Sequence, residues 1–441
     1  MNYLEIVNLI FFILSVAIML LVAHFAILAI IGLFAKKKFP STDKKLKYGI
    51  IIPARNEEAV VGNLIKSVYK NKYPQDKLQV FVIAHNCTDN TAKIARELGA
   101  TVYEYNNPNE CTMGYAFRYL FDRIREDYGV ENYDGFFLFN ADNILAEDYF
   151  EKMNDAFVAN NQEKVITSFR NSKNFGSNVI SAMYGIYFIQ GCRYESRGRT
   201  VCGCSTRVQG TGYVIPSEIV KDGWKYVTLT EDWEFSADQI INNRKIVYCD
   251  EAVFYDEQPT KSRIMLRQRL RWAKGHLLVC LTRYADLIKS IFKSKKKGGG
   301  KYKFSLFDMS VNILPVCIIT TALFLVQLIC TAIAPLFGYN AAEVWINYGI
   351  GAATSVIGFY ALNILGGIVV LIAERKRLKN VKACVLIGAI LLWPIFIFLS
   401  IPLEIMCLFV KVGWKQIPHD DTTTFEQVND VVNAEAATTK E

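Results

Sequence analysis

The chain has 441 residues, 52% of them hydrophobic, with 50 Lys and Arg against 42 Asp and Glu and a formal net charge of +8. That apolar share is high for a purely soluble protein, and the length suffices for a sizeable soluble domain plus membrane helices. The positive balance comes largely from lysines flanking apolar spans, which weighs against nucleic acid as a partner, and the eleven scattered cysteines imply no disulfide framework in a reduced compartment.

Residues 6–34 are almost free of charge, with His24 as the one titratable interruption. At about 1.5 Å per residue such a helix exceeds a hydrocarbon core of about 30 Å. It is too long for a signal-peptide core, so it reads as a retained anchor over residues 1–38. Lys36, Lys37 and Lys38 follow it. Positive loops stay in the cytoplasm, which puts the N-terminus outside and the next segment inside.

Residues 41–275 are mixed in polarity and read as a globular domain. Tyr48 to Ile52 is a short apolar strand, followed by Pro53-Ala54-Arg55-Asn56-Glu57-Glu58 and a helical pattern with Val60, Val61, Leu64, Ile65 and Val68. Leu78 to Ala84 is a second buried strand, His85 to Thr91 a polar turn, residues 91–98 a helix and Thr101 to Tyr105 a third strand. This alternation predicts an α/β fold with a mostly parallel sheet, with ligands beyond the carboxyl ends of its strands.

Gly135 to Phe139 is a further strand ending in Asn140-Ala141-Asp142-Asn143. A carboxylate at a strand tip suits Mg²⁺ or Mn²⁺, and Asp equally suits the capping of a turn. The glycines of Gln209-Gly210-Thr211-Gly212 allow either a turn or close approach of backbone to a ligand. Thr230 can cap a helix with Glu231 and Asp232 in its first turn, or Asp232 can be a general base beside a substrate. Gln268-Arg269-Leu270-Arg271-Trp272 combines a phosphate-matching arginine with an aromatic platform.

Residues 276–303 read as an amphipathic interfacial helix, with Leu277, Leu278, Leu281, Leu287, Ile288, Ile291 and Phe292 on its apolar side, and a basic linker. That linker carries Lys293, Lys295, Lys296 and Lys297 before Gly298-Gly299-Gly300, and would attract anionic lipid headgroups. Residues 304–412 hold apolar spans near 309–337, 345–373 and 383–410. Pro394, Pro402 and Glu404 interrupt the last, which reads either as one kinked helix or as a helix and an interfacial segment ending at Trp414. Residues 413–441 form a polar tail expected to be disordered.

In this order the motifs resemble those of membrane-integrated family-2 glycosyltransferases, the inverting GT-A-fold group that includes cellulose, chitin and hyaluronan synthases. The resemblance implies nucleotide contacts from Ala54, Asn56 and Glu57 and from Asn86 and Asp89. It matches Asn140 and Asp142 to the family's metal motif, binding Mg²⁺ or Mn²⁺. Thr230-Glu231-Asp232 matches the TED motif, with Asp232 in the base position beside Glu231. Gln268 and Arg271 would hold the donor diphosphate, Trp272 would stack under the acceptor sugar, and Gly210 and Thr211 would lie near it. Asn140, His85 and Met113 depart from the pattern, where an acidic residue, another acidic residue and a lysine are usual.

The implied activity is transfer from a UDP-sugar donor to the end of a β-linked polysaccharide, with export through a cell membrane and the catalytic domain in the cytoplasm. With four spans, a second copy or an accessory subunit would complete a pore. A glycolipid acceptor and a catalytically silent nucleotide-sugar-binding scaffold are the alternatives.

Overall fold

The computed structural model describes residues 2–293, 299–378 and 381–429. Lys295, Lys296, Lys297, Gly298 and the end of the tail from residue 430 lie outside the described residues.

Among the described residues one eight-stranded sheet organises the domain. Its strands are β1 (Tyr48–Ala54), β2 (Leu78–His85), β3 (Thr101–Tyr105), β4 (Gly135–Leu138), β5 (Ile144–Leu145), β6 (Val165–Ser172), β7 (Tyr213–Pro216) and β8 (Ile246–Asp256), in the order β3-β2-β1-β4-β7-β6-β8-β5. The first four pair in parallel, as the strand–helix alternation requires. The sheet is mostly parallel, as expected, and mixed in that β7 runs antiparallel to β4 and β6, and β5 antiparallel to β8. One consequence positions the site. With β7 reversed, β6 and β8 again run with β1, β2 and β4. The carboxyl ends of those five strands therefore share an edge with the start of β7.

The sheet is covered on both faces, which is why its central strands are continuously apolar. One face packs α2 (Val61–Tyr69), α3 (Thr91–Glu97) and α5 (Tyr149–Val158) over Ile50, Ile52, Val80 and Val82. The other packs α4 (Met113–Asp127) and α9 (Glu231–Ile241) over Ile51, Phe81, Ile83 and Phe136.

Between β6 and β7 the chain leaves the sheet as α6 (Val179–Gln190), a π-helical turn (Gly191–Arg197), α7 (Gly198–Val201) and an extended run through Arg207. α8 (Ser217–Val220) follows β7. The π turn and α7 pack on α1 (Tyr3–Phe34). A Cβ at Gly32 would collide with the Arg193 carbonyl, and one at Gly198 with the Leu28 carbonyl, so the approach requires both glycines.

The helix carrying Arg271 is α10 (Ser262–Lys293), continuous through the expected interfacial segment. Gly299 and Gly300, expected in a link, begin α11 (Gly299–Asn312). α11 packs on α9 and α10. Pro315 then separates it from α12 (Val316–Ile333), so the span expected from residue 309 starts later.

Among the described residues four apolar helical segments are long enough to cross a membrane: α1, Val316–Phe337, α13 (Ala341–Ala373) and Ala383–Phe409. Tyr3 stacks on Phe337 at 4.2 Å and donates to the Cys330 carbonyl at 2.9 Å, so the far ends of α1 and α12 meet. At the near end, Arg377 donates to Asp250 and Arg193 pairs with Glu374, which fixes the loop after α13 to the domain. The last segment is broken at Leu399 into α14 (Ala383–Phe398) and α15 (Ser400–Phe409). α14 rises from the domain along α13, where Tyr360 donates to the Leu391 carbonyl. α15 continues along α10 and α12. Leu399 keeps right-handed helical angles, φ −59° and ψ −16°, so the two form one kinked helix.

Over its described residues the tail departs from the expectation of disorder. Residues 413–429 lie along the sheet edge, Trp414 over Arg55 at 4.6 Å and Asn429 accepting from the Glu147 N–H at 2.9 Å. The order comes from docking on distant residues, which no local pattern encodes.

Candidate active site

Two cavities open on the shared sheet edge and meet at Met113, Asn140, Gln268, Arg271 and Trp414. The larger, about 390 Å³, holds Asp232, Glu231, Gly210 and Trp272. The smaller, about 130 Å³, holds Ala54, Arg55, Glu57 and His85.

Each wall follows from the local fold. Asp232 sits in the first turn of α9, where an acidic side chain is favoured by the helix dipole. Gly210, at φ +81°, leaves the space beside it open; a Cβ there would lie 3.7 Å from Asp232 Oδ2. Arg271 reaches across from α10 and donates to the Leu229 carbonyl at 2.7 Å. Trp272, one position on, stacks on Tyr187 and meets Tyr184 edge-on. Gln268 Oε1 is buried without a protein partner at the junction of the cavities.

The two acids are buried together. Burial and the neighbouring Asp232 push Glu231 up to about 8. Burial also raises Asp232, but the Arg207 and Arg271 charges oppose it. The shared charge therefore rests on Asp232 and the proton on Glu231. That leaves Asp232 as a carboxylate able to accept a proton.

Not every expected residue faces the cavities. Thr211 is buried and turned inward, accepting from the Asn140 N–H at 2.9 Å and donating to Asn143. Asp89 accepts from the Thr91 and Glu58 N–H groups and braces the start of α3. Asn86, at φ +53°, exchanges hydrogen bonds with Asn107, and Asn56 accepts from the Thr88 N–H at 2.7 Å. These four hold the loops rather than line the space. Short polar side chains give the same sequence signal in either role.

Asn140 lines both cavities, with Asp142 buried behind it accepting from the Glu257 N–H at 2.8 Å. Among the described residues no three His, Cys, Asp or Glu side chains form a ready-made metal cluster. The pocket nonetheless favours a cation. His419, brought in by the tail, bonds Glu57 at 2.9 Å. Burial would lower its pKa, but the Asp142, Glu57 and Glu257 carboxylates outweigh that and raise it to about 9. An imidazolium thus already sits where carboxylates converge, and a divalent cation would suit the same charges.

Several lining residues were not foreseen. Trp414 and His419 line the smaller cavity, beside Arg55 of the expected loop. Arg207 and Phe396, Ser400, Leu403 and Glu404 of α14 and α15 line the larger. Only Trp414 and His419, an indole and an imidazole in an otherwise polar tail, carried a readable signal.

Residues 46–275 match the family described as "Glycosyltransferase like family 2". A probable glycosyltransferase of Bacillus subtilis, YdaM, is 26% identical over 259 residues, 57% of this chain and 59% of that protein. The β-monoglucosyldiacylglycerol synthase of a Nostoc species is 24% identical over 281 residues, 60% of this chain and 56% of that protein. The matches thus span little more than half the length of either relative. Among solved structures, a mannosyltransferase from Pyrobaculum calidifontis, in complex with GDP-mannose and Mn²⁺, superposes with a TM-score of 0.51 at 15% identity. It covers 83% of this chain and 99% of its own, and shares the fold.

Proposed function

The chain belongs to the glycosyltransferase-like family 2, and from that premise we propose that it transfers a sugar from a UDP-sugar to the end of a growing β-linked polysaccharide at a membrane. The observation that carries this is the meeting of the two cavities. Asp232 and Trp272 lie on one side of the junction, the nucleotide-loop residues Ala54 and Glu57 on the other, and Gln268 and Arg271 between them.

The chemistry follows from that order. The acceptor hydroxyl lies on Trp272, whose flat face matches a pyranose ring. Asp232 takes its proton as the oxygen attacks the anomeric carbon from the side opposite the leaving diphosphate, which inverts the configuration. Arg271 and Gln268 donate to the departing diphosphate, and the guanidinium fork matches its oxygens. Asp142 and Asn140, with Glu57 and His419 nearby, would hold Mg²⁺ or Mn²⁺, which supplies positive charge for the UDP leaving group. Trp414 and the residues up to His419 close the donor cavity from above.

The positive loops support a multi-pass membrane protein with the domain, residues 41–275, in the cytoplasm, between the anchor and the C-terminal helices. Among the crossing helices α12 makes few contacts with α1 and with α13. Export through a pore would therefore use a second copy or an accessory subunit.

A glycolipid acceptor is the second reading, supported by the kinked helix α14–α15. Phe396, Ser400, Leu403 and Glu404 belong to an apolar membrane-length segment and line the catalytic cavity. A lipid hydroxyl could enter along it.

The test is product size. Reconstituted protein is supplied with labelled UDP-sugars, and products are split by organic extraction and gel filtration. Label in high-molecular-weight aqueous material supports the polysaccharide reading. Label confined to the lipid extract overturns it in favour of the second, and transfer from no donor revives the silent scaffold.

A further inference from the structure

The catalytic cavity has a wall whose one part in the reaction above is to favour the charged form of Asp232. Arg207 lines the larger cavity but not the donor cavity. Its guanidinium lies 4.3 Å over the ring of Trp233, the residue after Asp232. His276, one turn beyond Trp272 on α10, packs against the same indole at 4.6 Å.

The hydrogen-bond donors of this wall are not all used. Arg207 has one carboxylate hydrogen bond, from Nη2 to Glu195 at 3.2 Å. Glu195 stands on the rim with its side chain 39% exposed, and it also faces Arg199 at 3.7 Å. Arg207 Nε is buried and has no partner. Half of a fork built for two-point binding of an oxyanion is thus unused. His276 adds no second cation. Its Nε2 donates to the Asn312 carbonyl at 2.9 Å, and burial pushes its pKa down to about 4.

A further physical point favours a ligand here. A cation beside a general base lowers that base's affinity for the proton it must take. Arg207 has this effect on Asp232. Its place is better explained by something the acceptor carries.

We propose that Arg207, on its Trp233 platform, is an acceptor-selecting residue that binds an oxyanion of the acceptor, a phosphate or a carboxylate close to the hydroxyl that receives the sugar. This rests on the reading of the cavity as a glycosyl-transfer site and names its acceptor class. The bond from acceptor oxygen to anomeric carbon forms as the bond from that carbon to the diphosphate breaks. The hydroxyl proton goes to Asp232 and the electron pair leaves with UDP. The acceptor's own anion takes no part beyond binding. A lipid headgroup phosphate and a uronate carboxylate would both fit.

The test uses the full chain reconstituted in phosphatidylcholine vesicles, with its active labelled donor and two matched acceptor pairs. One is phosphatidylglycerol against diacylglycerol. The other is a uronate-containing oligosaccharide against its carboxyl-reduced form. The expected result is a preference of roughly tenfold or more for the charged member of one pair, in the range of a charge-assisted hydrogen bond. Which pair shows it identifies the source of the anion. In Arg207→Gln the ratio falls to near one, and Arg207→Lys regains part of it. A ratio is read because a loss of fold or of base strength lowers both members alike. Wild-type ratios near one in both pairs, or a preference that survives Arg207→Gln, would overturn the proposal. Should no probe accept sugar, the transfer reading itself fails. Equilibrium binding of the same four probes to UDP-loaded protein then decides the subsite by the same ratio.

Discussion

Gly275 offers a sharp test of how Asp232, the proposed base, is positioned. It lies one turn beyond Arg271 on α10, against the Thr230 turn that starts α9. A Cβ at residue 275 would lie 2.5 Å from Thr230 Cγ2 and 2.6 Å from Thr230 Oγ1, where ordinary contact begins at 3.4 Å. Gly275→Ala therefore requires the two elements to part by about 0.9 Å. Alanine in a helix interior gains about 1 kcal/mol over glycine. Overpacking costs about 1–3 kcal/mol, so the net change is small enough for the fold to survive. Activity is expected to respond more. Asp232 and Arg271 stand on the two elements being separated, and a misplacement of about 1 Å costs on the order of 100-fold. Initial rates of UDP release by purified, reconstituted protein should show kcat down about 100-fold with the melting temperature little changed. Gly358→Ala is the control, since nothing lies within 4 Å of its Cβ position on α13. A folded Gly275→Ala protein with wild-type kcat would refute the positioning argument.

Other perturbations test other parts. Trp414→Ala removes the ring over Arg55 and should raise the donor KM about tenfold with a smaller effect on kcat, measured by titrating labelled donor. His419 is raised to about 9 in the folded state, so its contribution to holding the tail is complete below its ordinary value and is lost as pH rises through about 9. Chymotryptic nicking at Trp414, normalised to unfolded chain, should accelerate between about pH 8 and 10, and His419→Gln should abolish that pH dependence. Asp308 on α11 is buried and accepts from Arg199 at 2.6 and 2.9 Å and from His24 at 3.0 Å. Asp308→Ala leaves Arg199 without that partner and should destabilise the protein by about 3–5 kcal/mol, read as a lowered melting temperature in detergent.

The strands that begin the domain were legible because each is a short apolar run closed by turn residues, and parallel pairing follows from the helices between them. The direction of β7 was not, because the chain between β6 and β7 makes a long excursion to α1 whose return no local pattern encodes. The motif at Gln268–Trp272 and the acids at Glu231–Asp232 marked the larger cavity, since those residue types cluster for chemical reasons. The loop-bracing places of Asn56, Asn86, Asp89 and Thr211 were not legible because an Asx or hydroxyl side chain braces a loop with the same atoms it would offer a ligand. The tail was misread because its polar composition suits disorder. Its order comes from Arg55, Glu57 and Glu257, far away in sequence. The last apolar segment was left open between two readings, and it is one helix kinked at Leu399. Prolines and Glu404 mark an interruption but not whether the chain goes on as helix after it.

The central claim is that Asp232 takes the proton from an acceptor during transfer from a nucleotide sugar. The most direct measurement is transfer from a panel of labelled UDP-sugars by the reconstituted chain, with and without EDTA, beside Asp232→Asn. The account predicts EDTA-sensitive transfer from one donor, falling by about 100-fold to 10,000-fold in Asp232→Asn while donor binding persists. Turnover by Asp232→Asn equal to wild type would contradict it.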